Sequence, residues 1–276
     1  MGHISNAFKI VTFNLRKDSK MDLHNRWKNR KEMVLDFIQE CGASIIGVQE
    51  LMPSMREDIE SHLKNYSIFG QGRCRHLFNE HSDIIVKDDD IEVDFSKTIW
   101  LSKSPEKFGS RAFLAIFPRI CTICEVKFKE TGKKIRVFNA HFDHISKWAR
   151  AIGIDMILKY MDKFQKEEPL PTVLMGDFNV RPDNPLIFRL RQNLHQYNIR
   201  LVDAYDYIHH GCGPTNTYHG FKGKKDGTAQ LDYIFVSDDL QILNSYVDRT
   251  QKNGRYLSDH YPIVATLGFK SEKETA

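Results

Sequence analysis

The chain has 276 residues, 41% hydrophobic and 28% charged, enough to bury a substantial core in one large α/β domain or two small ones. Its net charge of +4 permits an anionic substrate but does not require the basic surface of a protein that coats nucleic acid. No apolar run approaches the roughly 20 residues of a membrane span, and Met1 to Ala7, native or appended, lack a basic-then-apolar leader. Phe8 to Phe13 alternates apolar and polar and is expected as a strand. Asn14 at its end is either a turn residue or an amide reaching into a cleft. Met33, Val34, Phe37, Ile38 and Cys41 recur at helical spacing, which predicts a helix from about Arg26 to Cys41, its basic residues a solvated face and Gly42 its C-cap. Ile45 to Val48 is a short buried strand. Glu50, two residues on, is an exposed loop residue or a ligand in a cleft. A helix follows from about Pro53 to Lys64.

From Tyr66 to Phe117 short strands and polar turns are expected, with strands at Ile84–Val86 and Thr98–Ser102. Ile120–Phe128 and Lys134–Phe138, joined at Thr131-Gly132, form a hairpin. Cys121 and Cys124 lie within it and have no second Cys/His pair nearby, so zinc is not expected; the odd count of five cysteines, with Cys41, Cys74 and Cys212, is expected as reduced thiols. The hairpin ends in Asn139-Ala140-His141-Phe142-Asp143-His144, where residues 139, 141 and 143 share one face of extended chain. Those side chains suit phosphate or metal work, or else a polar loop. A helix from about Ser146 to Phe164 places Trp148, Ile152, Met156 and Tyr160 on its long face.

Thr172 to Met175 is a short buried strand closed by Gly176-Asp177-Phe178-Asn179. The acid and amide at i and i+2 share a face. The acid can align a water or hold a metal, and the amide can hydrogen-bond a phosphate oxygen. Gly176 removes bulk where a phosphate could approach the backbone. A short helix is expected over Pro182–Leu194. Gly211 to Gly227, with Thr217, Tyr218, His219, Lys222, Lys224 and Lys225, either tracks an anionic ligand or is a solvated excursion. Leu231–Val236 and Pro262–Leu267 are the last strands, the second preceded by Ser258-Asp259-His260. No linker separates two domains. A single domain over residues 8–270 is expected, with an extension at 1–7 and a tail at 271–276. Strand–helix alternation in both halves points to α/β (α+β) architecture: two mixed sheets face to face with helices outside, a four-layer sandwich.

Asn14, Glu50, His141, Asp177, Asn179, Asp232, Asp259 and His260 all fall at strand ends. Glu50 and Asp259 are hard oxygen donors of the kind Mg²⁺ prefers. The ordered set T-F-N-L-R (12–16), Q-E (49–50), N-A-H-F-D (139–143), G-D-F-N (176–179), L-D-Y-I-F (231–235) and S-D-H-Y-P (258–262) resembles the endonuclease/exonuclease/phosphatase superfamily, which includes DNase I. R-W-K-N-R-K (26–31), T-I-W-L-S-K-S-P (98–105) and P-R-I-C-T (118–122) are similar to a small bacterial single-domain group without a well-defined substrate.

The resemblance implies a DNase I-like fold and a cytoplasmic, monomeric, Mg²⁺- or Mn²⁺-dependent phosphoesterase. Glu50 would be the principal metal ligand, with Asn14 and Asp259 near the metal. Asp177 would orient or deprotonate the attacking water and Asn179 would hold a phosphate oxygen. His260, held by Asp232, would face the scissile phosphate. His141 would face it too, with Glu80 as its partner and Arg119 as a further phosphate contact. A phosphodiester of nucleic acid or a nucleotide is the first substrate expectation; a small inositol- or sugar-type phosphate is the alternative, and a catalytically silent binding module the third. No membrane partner is expected, since no exposed apolar anchor is legible.

Overall fold

The computed structural model describes residues 7–75, 79–211, 215–223, 227 and 229–270. Cys212, Lys224, Lys225 and residues 1–6 and 271–276 lie outside them. In chain order the elements are β1 (Ala7–Asn14), α1 (Lys31–Glu40), β2 (Ile45–Gln49), α2 (Pro53–His62), β3 (Tyr66–Phe69), β4 (Ile84–Lys87), β5 (Ile91–Trp100), β6 (Ile120–Phe128), β7 (Lys134–His141), α3 (Lys147–Glu167) and β8 (Thr172–Asp177). There follow α4 (Pro185–Arg191), β9 (Leu201–Asp203), α5 (Ala204–His209), β10 (Asp232–Ser237), β11 (Leu240–Val247), the two-residue strands β12 (Gln251–Lys252) and β13 (Arg255–Tyr256), and β14 (Ile263–Phe269).

Two six-stranded sheets form, ordered β11-β14-β1-β2-β4-β3 and β5-β6-β7-β8-β10-β9. Each is mixed: β1 runs parallel to β2 and β7 parallel to β8, and the other pairs in the two sheets are antiparallel. Strands buried on both faces read as continuous apolar runs, which is why β2, β8 and β10 stood out in the sequence. Three cores alternate with the layers. Ile10, Ile45 and Val86 of one sheet meet Val137, Met175 and Ile234 of the other. Val34, Ile38, Met55 and Ile59 of α1 and α2 cover the outer face of the first sheet. Ile157, Met161, Ile187 and Leu190 of α3 and α4 cover the second. The order helix, sheet, sheet, helix is the four-layer sandwich that was expected.

Several local expectations change. The first helix begins at Lys31, and Trp27–Asn29 ahead of it is a 3-10 turn. Its basic residues are not all a solvated face: Arg30 is 1% exposed. The long helix buries Ala149, Gly153, Ile154, Ile157, Leu158 and Met161, while Trp148 is 57% exposed, so the buried stripe lies beside the expected one. β5 starts at Ile91, seven residues before the expected strand: Ile91, Val93 and Phe95 are the less exposed positions, and Glu92, Asp94 and Ser96 between them are exposed. β9, α5 and β11 were not expected at all. Cys121 packs under the helices and Cys124 between the sheets, as a spacing of three along a strand requires; they cannot share a ligand. Among the described residues no helix is long and apolar enough to cross a membrane.

Candidate active site

Strand register assembles the site. Asp177, the last residue of β8, lies opposite His141, the last of β7, and opposite Asp232, the first of β10. From the other sheet come Asn14 at the end of β1, Glu50 just after β2, and Asp259-His260 just before β14. Of these, Glu50, His141, Asp177, Asp259 and His260 line a cleft of about 340 Å³ together with Arg16, Lys17, Arg73, Glu80, Phe117, Arg119, His144, Asn179 and Tyr218, and Asn14 and Asp232 bond to its members from behind. A larger, more apolar pocket of about 350 Å³ between α3 and α4 contains none of these groups.

Asn14 joins the two halves. Its Nδ2 donates to Asp177 Oδ2 at 2.9 Å and to Glu50 Oε1 at 3.4 Å, and its Oδ1 accepts from the Arg16 N–H at 2.9 Å. Asp177 Oδ1 accepts from the Asn179 N–H at 2.8 Å. Burial first, and the Asp232 charge second, push the Asp177 carboxyl well above its usual range. Asn179 sits in the left-handed region at φ 53°, and one of its amide hydrogens goes to the Phe142 carbonyl at 3.0 Å. The second amide hydrogen remains for a ligand.

The two histidines are in opposite states. His260 Nδ1 is 2.8 Å from Asp232 Oδ2, and its Nε2 is 4.0 Å from Asp177. Burial opposes its cation, but Asp232, then Asp177 and Asp259, outweigh it and raise the imidazole to about 10. His141 Nε2 lies 3.6 Å from Asp177. Burial, with the Arg119 and Arg73 charges behind it, holds this imidazole neutral, well below its ordinary value. Because the folded value of His260 exceeds the ordinary 6.5, the stability it contributes is complete below 6.5 and is lost as pH rises toward about 10. The ring resonances of His260 should therefore show no titration between about pH 6 and 8 by NMR. Asp232→Asn should bring its titration down into or below that window. A wild-type midpoint near the ordinary value would show that the pair does not hold the proton.

Glu80 is not the partner of His141. Arg73 grips it with two contacts of 2.9 Å, and Lys17 Nζ adds a third at 3.0 Å. The 139–143 motif splits. Asn139 and His141 do share a face, but that face is the inter-sheet layer. Asn139 bonds Gln49 and the Val48 and Asp83 carbonyls there, tying the sheets together. Asp143 accepts from the Ile145 and Ser146 N–H groups in the turn that starts α3, and it lies 3.7 Å from Arg119 Nε. Arg119 Nη2 reaches His144 Nδ1 at 2.8 Å on the cleft wall. Of the 211–227 segment, Thr217 and His219 are buried, neither ligand track nor solvated excursion; Thr217 Oγ1 accepts from the Asp232 N–H at 3.2 Å. Tyr218 alone of that trio lines the cleft.

Arg73 and Phe117 are cleft residues that sequence reasoning missed. Both lie on irregular chain, where no periodicity marks a residue, and Gly70 and Gly72 around Arg73 were the only signal. The donors fit a hard divalent cation. Glu50 Oε2 and Asp259 Oδ2 stand 4.0 and 3.7 Å from the Arg16 guanidinium, beyond hydrogen-bonding distance; Glu50 Oε2 accepts one bond, from the Lys17 N–H at 3.1 Å, and a carboxylate oxygen with one such bond retains a lone pair for a cation. Glu50 stays ionised: burial opposes it, but the Lys17 N–H and the Arg16 charge lower its carboxyl below the usual range. Asp177, Asp232 and His260 also place ligand atoms within 4.8 Å of one another. There the His260 nitrogen nearest Asp232 is already committed, which favours the Glu50–Asp259 side.

The family model described as "Endonuclease/Exonuclease/phosphatase family" matches residues 11–260. The solved endonuclease/exonuclease/phosphatase structure from Bacteroides vulgatus is 28% identical, with a TM-score of 0.86 over 96% of this chain and 100% of that one. A mannosyl-6-phosphatase of Bacteroides thetaiotaomicron is 26% identical, with a TM-score of 0.85 over 95% of this chain and 100% of that one. Uncharacterized protein L388 of Acanthamoeba polyphaga mimivirus is 24% identical across 93% of this chain and 98% of its own length.

Proposed function

We propose that this chain, which belongs to the endonuclease/exonuclease/phosphatase family and is thus a phosphoester hydrolase, cleaves the phosphate monoester of a small polar alcohol with a divalent cation at Glu50 and Asp259. The observation that carries the substrate class is the far wall of the cleft. There Arg73–Glu80 and Arg119–His144 line a space of about 340 Å³ with charged, hydrogen-bonding groups. Such a wall suits the hydroxyls of a sugar or polyol. The 26%-identical mannosyl-6-phosphatase supports the same class.

Within the cleft, Asp177 aligns a water and takes its proton as the water oxygen bonds to phosphorus. The bond from phosphorus to the alcohol oxygen breaks with its electron pair staying on that oxygen, which takes a proton from solvent, and Asp177 returns the water proton to solvent. His260, held cationic by Asp232, faces the charge that builds on the phosphoryl oxygens. His141 and the free amide hydrogen of Asn179 fix two of those oxygens, and Asn14 holds Asp177 and Glu50 in register. A bound Mg²⁺ or Mn²⁺ supplies Lewis-acid neutralisation of the phosphate.

A second reading, a nucleotide diesterase, rests on Tyr218, which is 42% exposed with its ring 5.1 Å from that of His260, where a base could stack. Parallel assays of p-nitrophenyl phosphate, bis-p-nitrophenyl phosphate and a panel of sugar phosphates separate the readings, each with Mg²⁺, Mn²⁺ or EDTA. Metal-dependent monoester turnover is expected. Turnover of the diester alone would establish the second reading. No turnover of any phosphoester would favour a silent binding module.

A further inference from the structure

Arg30 belongs to the R-W-K-N-R-K stretch, and the chemistry above does not use it. Its guanidinium is among the largest fully buried side chains. A charge in that position is costly unless its hydrogens are satisfied. Four hydrogen bonds satisfy it, all to main-chain carbonyls: Nε to Asn25 at 2.6 Å, Nη1 to Leu15 at 2.8 Å and Leu257 at 2.6 Å, and Nη2 to Arg16 at 2.8 Å. The Phe221 ring, 5.5 Å from its central carbon, adds a contact from the 215–223 segment, and Trp27 one at 5.7 Å.

These partners are the exits that carry the site. Leu15 and Arg16 directly follow Asn14. Leu257 directly precedes Ser258-Asp259-His260, and the Ser258 hydroxyl itself donates to the Asn14 carbonyl at 2.6 Å. Thus one buried side chain fixes the distance between the chain that leaves β1 and the chain that enters β14. A lysine ammonium keeps the charge but not the planar fork that reaches several carbonyls at once.

We infer that Arg30 is a positioning residue for the metal site: its guanidinium sets the spacing of the Asn14–Arg16 and Leu257–Asp259 segments, so that Asp259 and Glu50, which the Asn14 amide and the Lys17 N–H hold, converge on one divalent cation. This rests on the metal-site reading above. It acts through main chain and touches neither substrate nor metal.

The test compares wild type, Arg30→Lys and Val34→Ala. Val34 is buried in α1, which Arg30 directly precedes, and is away from the cleft, so its variant reports a purely structural loss. Mn²⁺ binding is measured directly by electron paramagnetic resonance of the free ion, beside thermal melts and activity against metal concentration. Arg30→Lys should weaken Mn²⁺ about 10- to 100-fold. Its kcat should recover partly at high metal, with substrate KM little changed. Val34→Ala should lower the melting temperature and leave Mn²⁺ affinity as in wild type. The proposal is overturned if Arg30→Lys binds Mn²⁺ like wild type, or if Val34→Ala weakens Mn²⁺ as much at equal loss of melting temperature. A wild type that binds no Mn²⁺ would instead overturn the metal-site reading, and this inference with it.

Discussion

Replacing Asp177 by asparagine is expected to lower kcat by about 10²–10⁴-fold while the protein stays folded. The shape is conserved, so the loss isolates the carboxylate's ability to take a proton from water. No neighbour can take over that work. His141 and His260 stand 3.6 and 4.0 Å from Asp177, but in the proposed mechanism both are assigned to the phosphoryl oxygens, and His260 Nδ1 is already paired with Asp232. Stability should move little, because two effects oppose. The amide loses one acceptor, since Asn14 and Asn179 both donate to the carboxylate. It also removes a charge that burial and Asp232 disfavour. The folded-state value lies above the ordinary 3.8, so the native protein loses stability as pH rises through that interval. The variant should lack this slope. Calorimetric melting temperatures against pH would show it, and kcat under saturating metal would show the catalytic loss. Wild-type kcat in the variant would remove Asp177 from the reaction.

Most of the fold was legible because its inner strands are short apolar runs ended by polar residues, and two sheets of such strands have few ways to bury both faces. Asp177, Asp232 and His141 were legible for the same reason: each lies at a strand end, where a polar residue in an apolar pattern is conspicuous. Glu50 and Asp259 lie beyond strand ends and were distinguishable from ordinary loop acids only through the ordered resemblance. The partner of Glu80 was not legible, because Arg73 approaches it along irregular chain. Arg30 was misread for a different reason. A basic residue near a helix start is normally solvated, and only the tertiary meeting of Leu15, Arg16, Asn25 and Leu257 makes a buried site for it. Exposure was misjudged in the other direction at Trp148, since helical period alone does not say which edge of a broad apolar stripe meets the sheet.

Gly176→Ala is the substitution expected to cost most stability, and its effect separates two explanations of that glycine. The sequence suggested that it clears a path for a phosphate. In the structure the space is filled by protein: a Cβ added there would stand 1.9 Å from the Ala140 carbonyl oxygen, at a φ of +143° that L-residues rarely adopt. Ala140 is the register partner of Gly176 in the parallel β7–β8 pair, with the Tyr233 partner of β10 on the other side. Neither backbone can move without opening a central ladder, and side-chain rotation cannot relieve a clash with main chain. The strain and the clash together should cost about 3 kcal/mol or more, a fall in melting temperature on the order of 10 °C. The neighbours of the two clashing residues are His141 and Asp177, so whatever protein remains folded should also lose kcat. If the glycine instead served a ligand, the alanine variant would melt like wild type and show a raised substrate KM. Melting and steady-state kinetics on the same preparation would decide, and the 1.9 Å contact with main chain favours the first outcome.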